Sequence, residues 1–197
     1  MDRQERTSGI VLAGGRSSRF GSEKMAAEYR GRPLLLHAVE VVDSLSDETL
    51  LVISPEAEEP EGVPLGVRFV RDSAAFRGPL AGLSAGLARA TGDVAIVAGG
   101  DMPRLARLVL VQMRRMLESS DTDAVALLEG ADVRPLPLLL RTRVSPIVED
   151  LLREGERSLR ALLASFGVVE FEETEWRKLD PDGGTLLDVD SPEDLRK

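Results

Sequence analysis

Three aspartates, one lysine and a run of glycines carry the chemistry that can be read from this chain. Asp101 stands behind the apolar run DVAIVA and two glycines, in GGDMP. Asp188 and Asp190 lie two apart in TLLDVDSPEDL. Lys24 closes the stretch GIVLAGGRSSRFGSEK, in which Arg16 and Arg19 follow Gly14 and Gly15. Carboxylates are the hard oxygen donors that Mg2+ prefers. Glycines behind a strand let successive backbone N–H groups form a concave anion site, and basic side chains add charge to it. A polyphosphate held with a divalent cation is the chemistry this set could perform. Plainer readings stand beside it. The loop could be a glycine-rich surface turn with solvated arginines, Asp101 a loop cap, and Asp188 with Asp190 a solvated pair at a strand end.

Composition narrows the field. The chain has no cysteine and a single histidine, His37. Disulfides, thiolate metal sites and cysteine nucleophiles are excluded, a His-rich zinc site likewise, and a reducing cytoplasm is compatible. His37 falls on an apolar helix face and reads as structural. The net charge of −9 argues against a general nucleic-acid or membrane-surface binder. It also makes the local cluster of Arg16, Arg19 and Lys24 informative, since a triphosphate would otherwise be repelled. No run approaches the ~20 apolar residues of a membrane span. The glycine loop fits neither the Gly-x4-Gly-Lys-Ser/Thr phosphate loop nor the G-x-G-x-x-G dinucleotide fingerprint.

The elements that must position these residues follow from hydrophobic patterning. Strands are expected at 9–13, about 49–53, 67–70, 93–98 and 123–128, and helices at about 33–45, 79–90 and 104–118. Pro33 is expected to open the first helix. Near-continuously apolar strands alternating with helices imply an α/β fold: a Rossmann-like, mostly parallel sheet with helices on both faces. Such sheets bind ligands at the carboxyl ends of their strands. Gly14–Lys24, Asp72–Gly82 and Gly99–Pro103 all fall there. Gly78-Pro79 at a helix start offers free N–H groups to a ligand, and Gly82 and Gly86 alternatively let that helix pack close to the sheet. In the last third, VRPLPLLLRT reads as a strand with prolines at its edge. SPIVEDLLREG and SLRALLASF read as helices. TLLDVDSPEDLRK reads as a strand followed by a helix capped by Ser191, with Asp194 reaching back. A strand would put Asp188 and Asp190 on one side. The whole chain, 1–197, is expected to be one domain, with residues 1–8 a flexible arm.

The loop LAGGRSSRFGSEK resembles the signature of sugar-nucleotide-type nucleotidyltransferases and is most similar to that of the molybdenum-cofactor guanylyltransferase family. RDSAAFRGPLAGLSAGL, GGDMP, RPLPLLL and DVDSPEDL follow in that family's order, so the resemblance covers nearly the whole chain. It implies a nucleotide-diphospho-sugar transferase type of fold in a cytoplasmic enzyme. That enzyme would transfer GMP from GTP to molybdopterin, as its molybdenum cofactor, and release pyrophosphate with Mg2+ as cofactor. Transient contact with molybdenum-enzyme maturation proteins is also implied. By resemblance, Leu12, Ala13, Gly14 and Gly15 lie along the base and phosphates, and Arg19 and Lys24 meet the phosphates. Asp72 and Gly78 help to hold the nucleotide. Asp101 binds the metal, a second ligand comes from Asp188 or Asp190, and Arg134 faces the pterin-side phosphate. The Gly14-Gly15 pair suits a guanine nucleotide. Two departures stand out. The family usually has asparagine at one or both positions where this chain has Asp188 and Asp190, and Glu23 replaces an aspartate. The alternatives are another nucleotidyltransferase, of the cytidylyl or sugar-phosphate type or a guanylyltransferase for a different acceptor, and a nucleotide-binding regulator without catalysis.

Overall fold

β1 (Thr7–Leu12) is buried along its whole length, because neighbours flank it on both edges and helices cover both faces. In the computed structural model, which describes residues 5–14, 21–72 and 78–196, it pairs in parallel with β4 (Glu48–Ile53) and with β6 (Val94–Gly99). Thr7 and Ser8 are therefore strand residues, exposed by 2% and 0%, and not part of a flexible arm. β5 (Arg68–Arg71) extends the sheet beyond β4. On the other side, β6 meets β8 (Asp132–Arg141) antiparallel. β8 meets β7 (Ala124–Glu129) antiparallel, and β9 (Val168–Phe171) closes that edge in parallel with β7. The order is β5-β4-β1-β6-β8-β7-β9, a mostly parallel α/β sheet.

Alternation along the strands builds two cores. Ile10, Leu12, Leu50, Val52, Ala95 and Val97 face one side with α2 (Pro79–Leu87), α4 (Ser145–Arg153) and α5 (Leu159–Ala164). Val11, Leu51, Ile53, Ile96 and Ala98 face the other with α1 (Leu34–Asp43) and α3 (Arg107–Glu118). Gly86 lets α2 lie on β1, since a Cβ there would stand 2.7 Å from Ile10 Cγ2. Among the described residues no helix is long and apolar enough to cross a membrane.

The structure corrects several boundaries. The first helix begins at Leu34, because Pro33 belongs to a small hairpin of β2 (Glu28–Tyr29) and β3 (Arg32–Pro33). Its two-residue turn has positive φ at Arg30 (50°) and Gly31 (81°), as a type I′ turn requires. α3 starts three residues later than expected, leaving Arg104 free to reach Asp182 at 3.2 Å. The segment VRPLPLLLRT is not an edge: β8 lies inside the sheet. Its prolines are accommodated because β7 shifts register between Ala126 and Leu127, from Leu138 to Arg134, so that Pro135 and Pro137 sit at an irregularity without ladder partners. TLLDVD is not a strand. It is a short 3-10 turn at Gly184–Leu186 followed by unpaired chain, and Asp194–Arg196 forms another such turn. Asp194 does reach back: its carboxylate accepts from the Ser191 N–H at 2.9 Å and from the Ser191 hydroxyl at 2.8 Å.

Candidate active site

The carboxyl ends of the central parallel strands are knitted together by backbone hydrogen bonds. Ala13 N–H donates to Val52 O, Gly100 N–H to Leu12 O and Asp72 N–H to Ile53 O, at 2.8–2.9 Å. Leu12 is buried here, Ala13 half-buried and Gly14 exposed. Gly15, Arg16 and Arg19 lie outside the described residues.

Asp101 follows β6 by two residues, and both glycines before it have steric reasons. A Cβ on Gly99 would stand 2.5 Å from Asp101 Oδ1, and one on Gly100 2.7 Å from Leu35 Cδ1. The carboxylate thus folds back over its own strand end. Its other oxygen receives Lys24 Nζ at 2.8 Å. The same ammonium donates to Asp190 Oδ1 at 3.2 Å. The Lys24 side chain is 11% exposed, that of Asp101 26% and that of Asp190 69%, so the cation is sunk beneath two carboxylates of which one faces solvent. Burial alone would lower the Lys24 pKa, but the hydrogen bonds and charges of Asp101 and then Asp190 prevail and hold it above its ordinary value.

Residues from three distant segments meet around Val189. Val189, fully buried, packs with Tyr29 and Leu34 beside the hairpin, and its N–H donates to Asp101 O at 3.0 Å. Asp188 and Asp190 straddle this anchor. They are brought to the same cluster, but they do not share a partner. Asp190 turns to Lys24, while Asp188 Oδ2 lies 3.6 Å from Arg134 Nη2. Burial, together with the charge of Asp101, pushes the Asp188 carboxyl up to about 6 against the opposing pull of Arg134. Arg134 also pairs with Glu129 at 3.3 Å, and its buried Nε has no partner. Arg177 backs Glu129 at 3.8 Å and lies over the Trp176 ring.

Other expectations fare differently. Asp72 sits at the end of β5, half-buried. Gly78 has φ +85°, and a Cβ there would meet Arg157 O at 2.7 Å. The first N–H groups of α2 are not free for a ligand: Leu80 N–H donates to Arg157 O and Ala81 N–H to Gly78 O, each at 3.2 Å. His37 is structural, its Nε2 2.8 Å from Tyr29 O with its ring edge-on to Tyr29. Sequence reasoning missed Val189, an ordinary strand-like apolar residue, and Trp176. Trp176 is completely buried and donates from Nε1 to Leu128 O at 2.8 Å.

The donor set around Lys24 is all oxygen, and the shared ammonium shows that it accommodates a cation. Among the described residues no three carboxylate or imidazole groups come close enough to hold a metal by themselves. Two carboxylates with remaining positions open to water and phosphate is the pattern Mg2+ takes. A cavity of about 320 Å3 lies elsewhere, lined by Val133, Arg160, Phe166 and Val168 among others, and none of the nucleotide or metal candidates borders it.

Residues 9–171 match the MobA-like NTP transferase domain. The chain is 34% identical over 156 residues to a molybdenum cofactor guanylyltransferase of Pseudomonas putida, covering 78% of this chain and 80% of that one. It is 30% identical over 190 residues to the protein of that name from Syntrophotalea carbinolica, covering 96% and 89%. The fold is that of the crystal structure of molybdopterin-guanine dinucleotide biosynthesis protein A from Archaeoglobus fulgidus. The TM-score is 0.78 at 23% identity, covering 96% of this chain and 95% of that one.

Proposed function

Because this chain belongs to the MobA-like NTP transferase family and is a nucleotidyltransferase, we propose that it transfers GMP from GTP to molybdopterin carried as the molybdenum cofactor. The observation that carries this reading is the cluster in which Lys24 bridges Asp101 and Asp190 at the carboxyl end of β6, where ligands of such sheets bind. An oxygen of the terminal phosphate of molybdopterin attacks the α-phosphorus of GTP. The bond from that phosphorus to the bridging oxygen of the β-phosphate breaks, pyrophosphate leaves, and a dinucleotide forms. The attacking oxygen is already anionic, so no strong base is needed. A chain with one histidine, engaged structurally, is suited to that.

Asp101 and Asp190 would hold Mg2+, which when bound supplies charge neutralisation of the phosphates. Lys24 and Arg19 stabilise charge on the phosphates and on the departing pyrophosphate. Leu12, Ala13, Gly14 and Gly15 line the base and phosphates, with Asp72 at the neighbouring strand end and Gly78 shaping the start of α2. The guanine preference is supported by the lack of a packing reason for Gly14. A Cβ there would stand 3.5 Å from Ser54 N and Oγ and 3.7 Å from Ile53 C, ordinary contact, so protein packing does not call for the glycine. Arg134, whose terminal nitrogens lie beside Glu129 and Asp188 at the edge of the cluster, takes the acceptor phosphate. The cysteine-free composition suits the cytoplasm.

Calorimetry with GTP, CTP, ATP and UTP in the presence of Mg2+ tests the donor side. GTP is expected to bind at least ~10-fold more tightly than the others, about 1.4 kcal/mol. Preference for another base would move the function to a different transferase of the same fold.

A further inference from the structure

The geometry points to Lys24 as a built-in competitor for the metal, one that makes cation binding depend on the nucleotide. The inference rests on the reading that Asp101 and Asp190 are the metal ligands. Each of these carboxylates already has a cation: one ammonium lies 2.8 Å from Asp101 Oδ2 and 3.2 Å from Asp190 Oδ1. Nζ occupies the space against these two oxygens, so a divalent ion held there would displace the ammonium.

The ammonium leaves reluctantly on its own. It is nearly buried, and moving it away from both carboxylates without a new anion would strand a charge under low-dielectric cover. Lys24 is held in place from behind as well. The turn at Gly21–Ala26 leads into the hairpin of β2 and β3, whose Tyr29 packs on Val189 between the two aspartates. A nucleoside triphosphate changes the balance. Its phosphates offer Lys24 a replacement partner, and they supply further oxygens to the ion. Nucleotide and metal therefore favour each other's binding, and by linkage the coupling is equal in both directions. The species this site accepts is the metal–nucleotide complex, while the free ion at ordinary concentration is turned away. Asp190 matters to the exchange because it is the solvent-facing member of the pair, with 69% of its side chain exposed. It is the oxygen an incoming complex meets first.

The test is Mn2+ binding by electron paramagnetic resonance of the free ion, with and without GTP, on the wild-type chain, Lys24→Met, Lys24→Gln and Arg134→Met. Emission of the single Trp176 verifies that each variant is folded. In the absence of GTP the wild type is expected to bind Mn2+ weakly and both Lys24 variants at least ~10-fold more tightly, as loss of a charge in direct contact predicts. The tightening produced by GTP should shrink in the Lys24 variants. Arg134→Met removes a positive charge from the same cluster but leaves the shared ammonium in place, so its nucleotide-free affinity should stay within ~3-fold of wild type. Equal or weaker nucleotide-free Mn2+ binding in both Lys24 variants overturns the inference and leaves the metal site standing. An equal gain in Arg134→Met also overturns it, since charge alone would then account for the effect. With GTP present, absence in every form of any Mn2+ binding beyond that of GTP in a protein-free solution overturns the metal reading and this inference with it.

Discussion

Lys24 Nζ lies 2.8 Å from Asp101 Oδ2, across 77 residues of sequence, and this ion pair joins the segment behind β1 to the segment behind β6. Neighbouring strands set the distance: β1 and β6 are hydrogen-bonded from Thr7 and Val94 to Leu12 and Gly99, so their carboxyl ends open at the same level.

Asp101→Asn preserves shape and removes the charge. Turnover is expected to fall at least ~10²-fold, because a metal-binding carboxylate contributes several kcal/mol to the transition state. The thermal midpoint should fall, because the nearly buried Lys24 loses its nearer carboxylate and keeps only Asp190, so turnover is compared per folded molecule. Pyrophosphate release, followed beside a melting curve, gives both readings. Near-normal turnover would remove Asp101 from the metal site.

Two glycines separate binding from stability. Gly14→Ala meets no atom closer than 3.5 Å, so it should fold with an unchanged or slightly raised midpoint while weakening GTP binding at least ~10-fold. Gly86→Ala forces a methyl to 2.7 Å from Ile10 Cγ2 and should cost about 1–3 kcal/mol of stability, with turnover per folded molecule retained. Urea titration and calorimetry on both variants check this. A Gly14→Ala variant that binds GTP normally would place the base elsewhere.

Among the described residues, a strong acid-linked contribution comes from Glu48, remote from the site. Burial would raise its carboxyl, but the Ser8 hydroxyl, the Thr91 N–H and hydroxyl, and Arg68 together hold it at about 2 against an ordinary 4.5. A depressed carboxyl stabilises the fold above its unfolded pKa. That contribution, about 2–3 kcal/mol, is present in full at pH 7 and is lost as the pH falls from about 4.5 toward 2. Glu48→Gln should therefore be clearly less stable than wild type at pH 7, and the gap should narrow at pH 3. An equal gap at the two pH values would contradict the assignment.

Trp176→Phe should lower stability by about 1–3 kcal/mol, because it leaves the Leu128 carbonyl without the indole donor. Denaturant unfolding followed by far-ultraviolet circular dichroism measures it. A neutral result would mean that water readily replaces the indole.

The sequence carried the fold class because parallel strands buried on both faces read as apolar runs, and those at β4, β5, β6 and β7 fall within a residue or so of expectation. Lys24, Asp101 and the aspartates on either side of Val189 were legible because each lies in a short local motif. What was hidden depends on non-local contacts. The interior place of β8 follows from pairing with β6 on one side and β7 on the other, whereas its prolines taken alone suggest an edge. The hairpin of β2 and β3 has two residues per strand, too few for any period to register. Asp188 and Asp190 took different partners because the chain between them is pinned by Val189 rather than laid in a sheet. The α2 N-terminus is capped by Arg157, 79 residues after Gly78, which no local pattern announces.

Transfer of GMP is followed through the α-phosphate. The purified chain is incubated with Mg2+, molybdopterin and GTP labelled at that phosphorus, beside parallel reactions with the other three nucleotides. Label from GTP is expected to move into a molybdopterin–guanine dinucleotide, with one pyrophosphate released for each label transferred. Label that remains in GTP, or that moves instead from CTP, ATP or UTP, would contradict it.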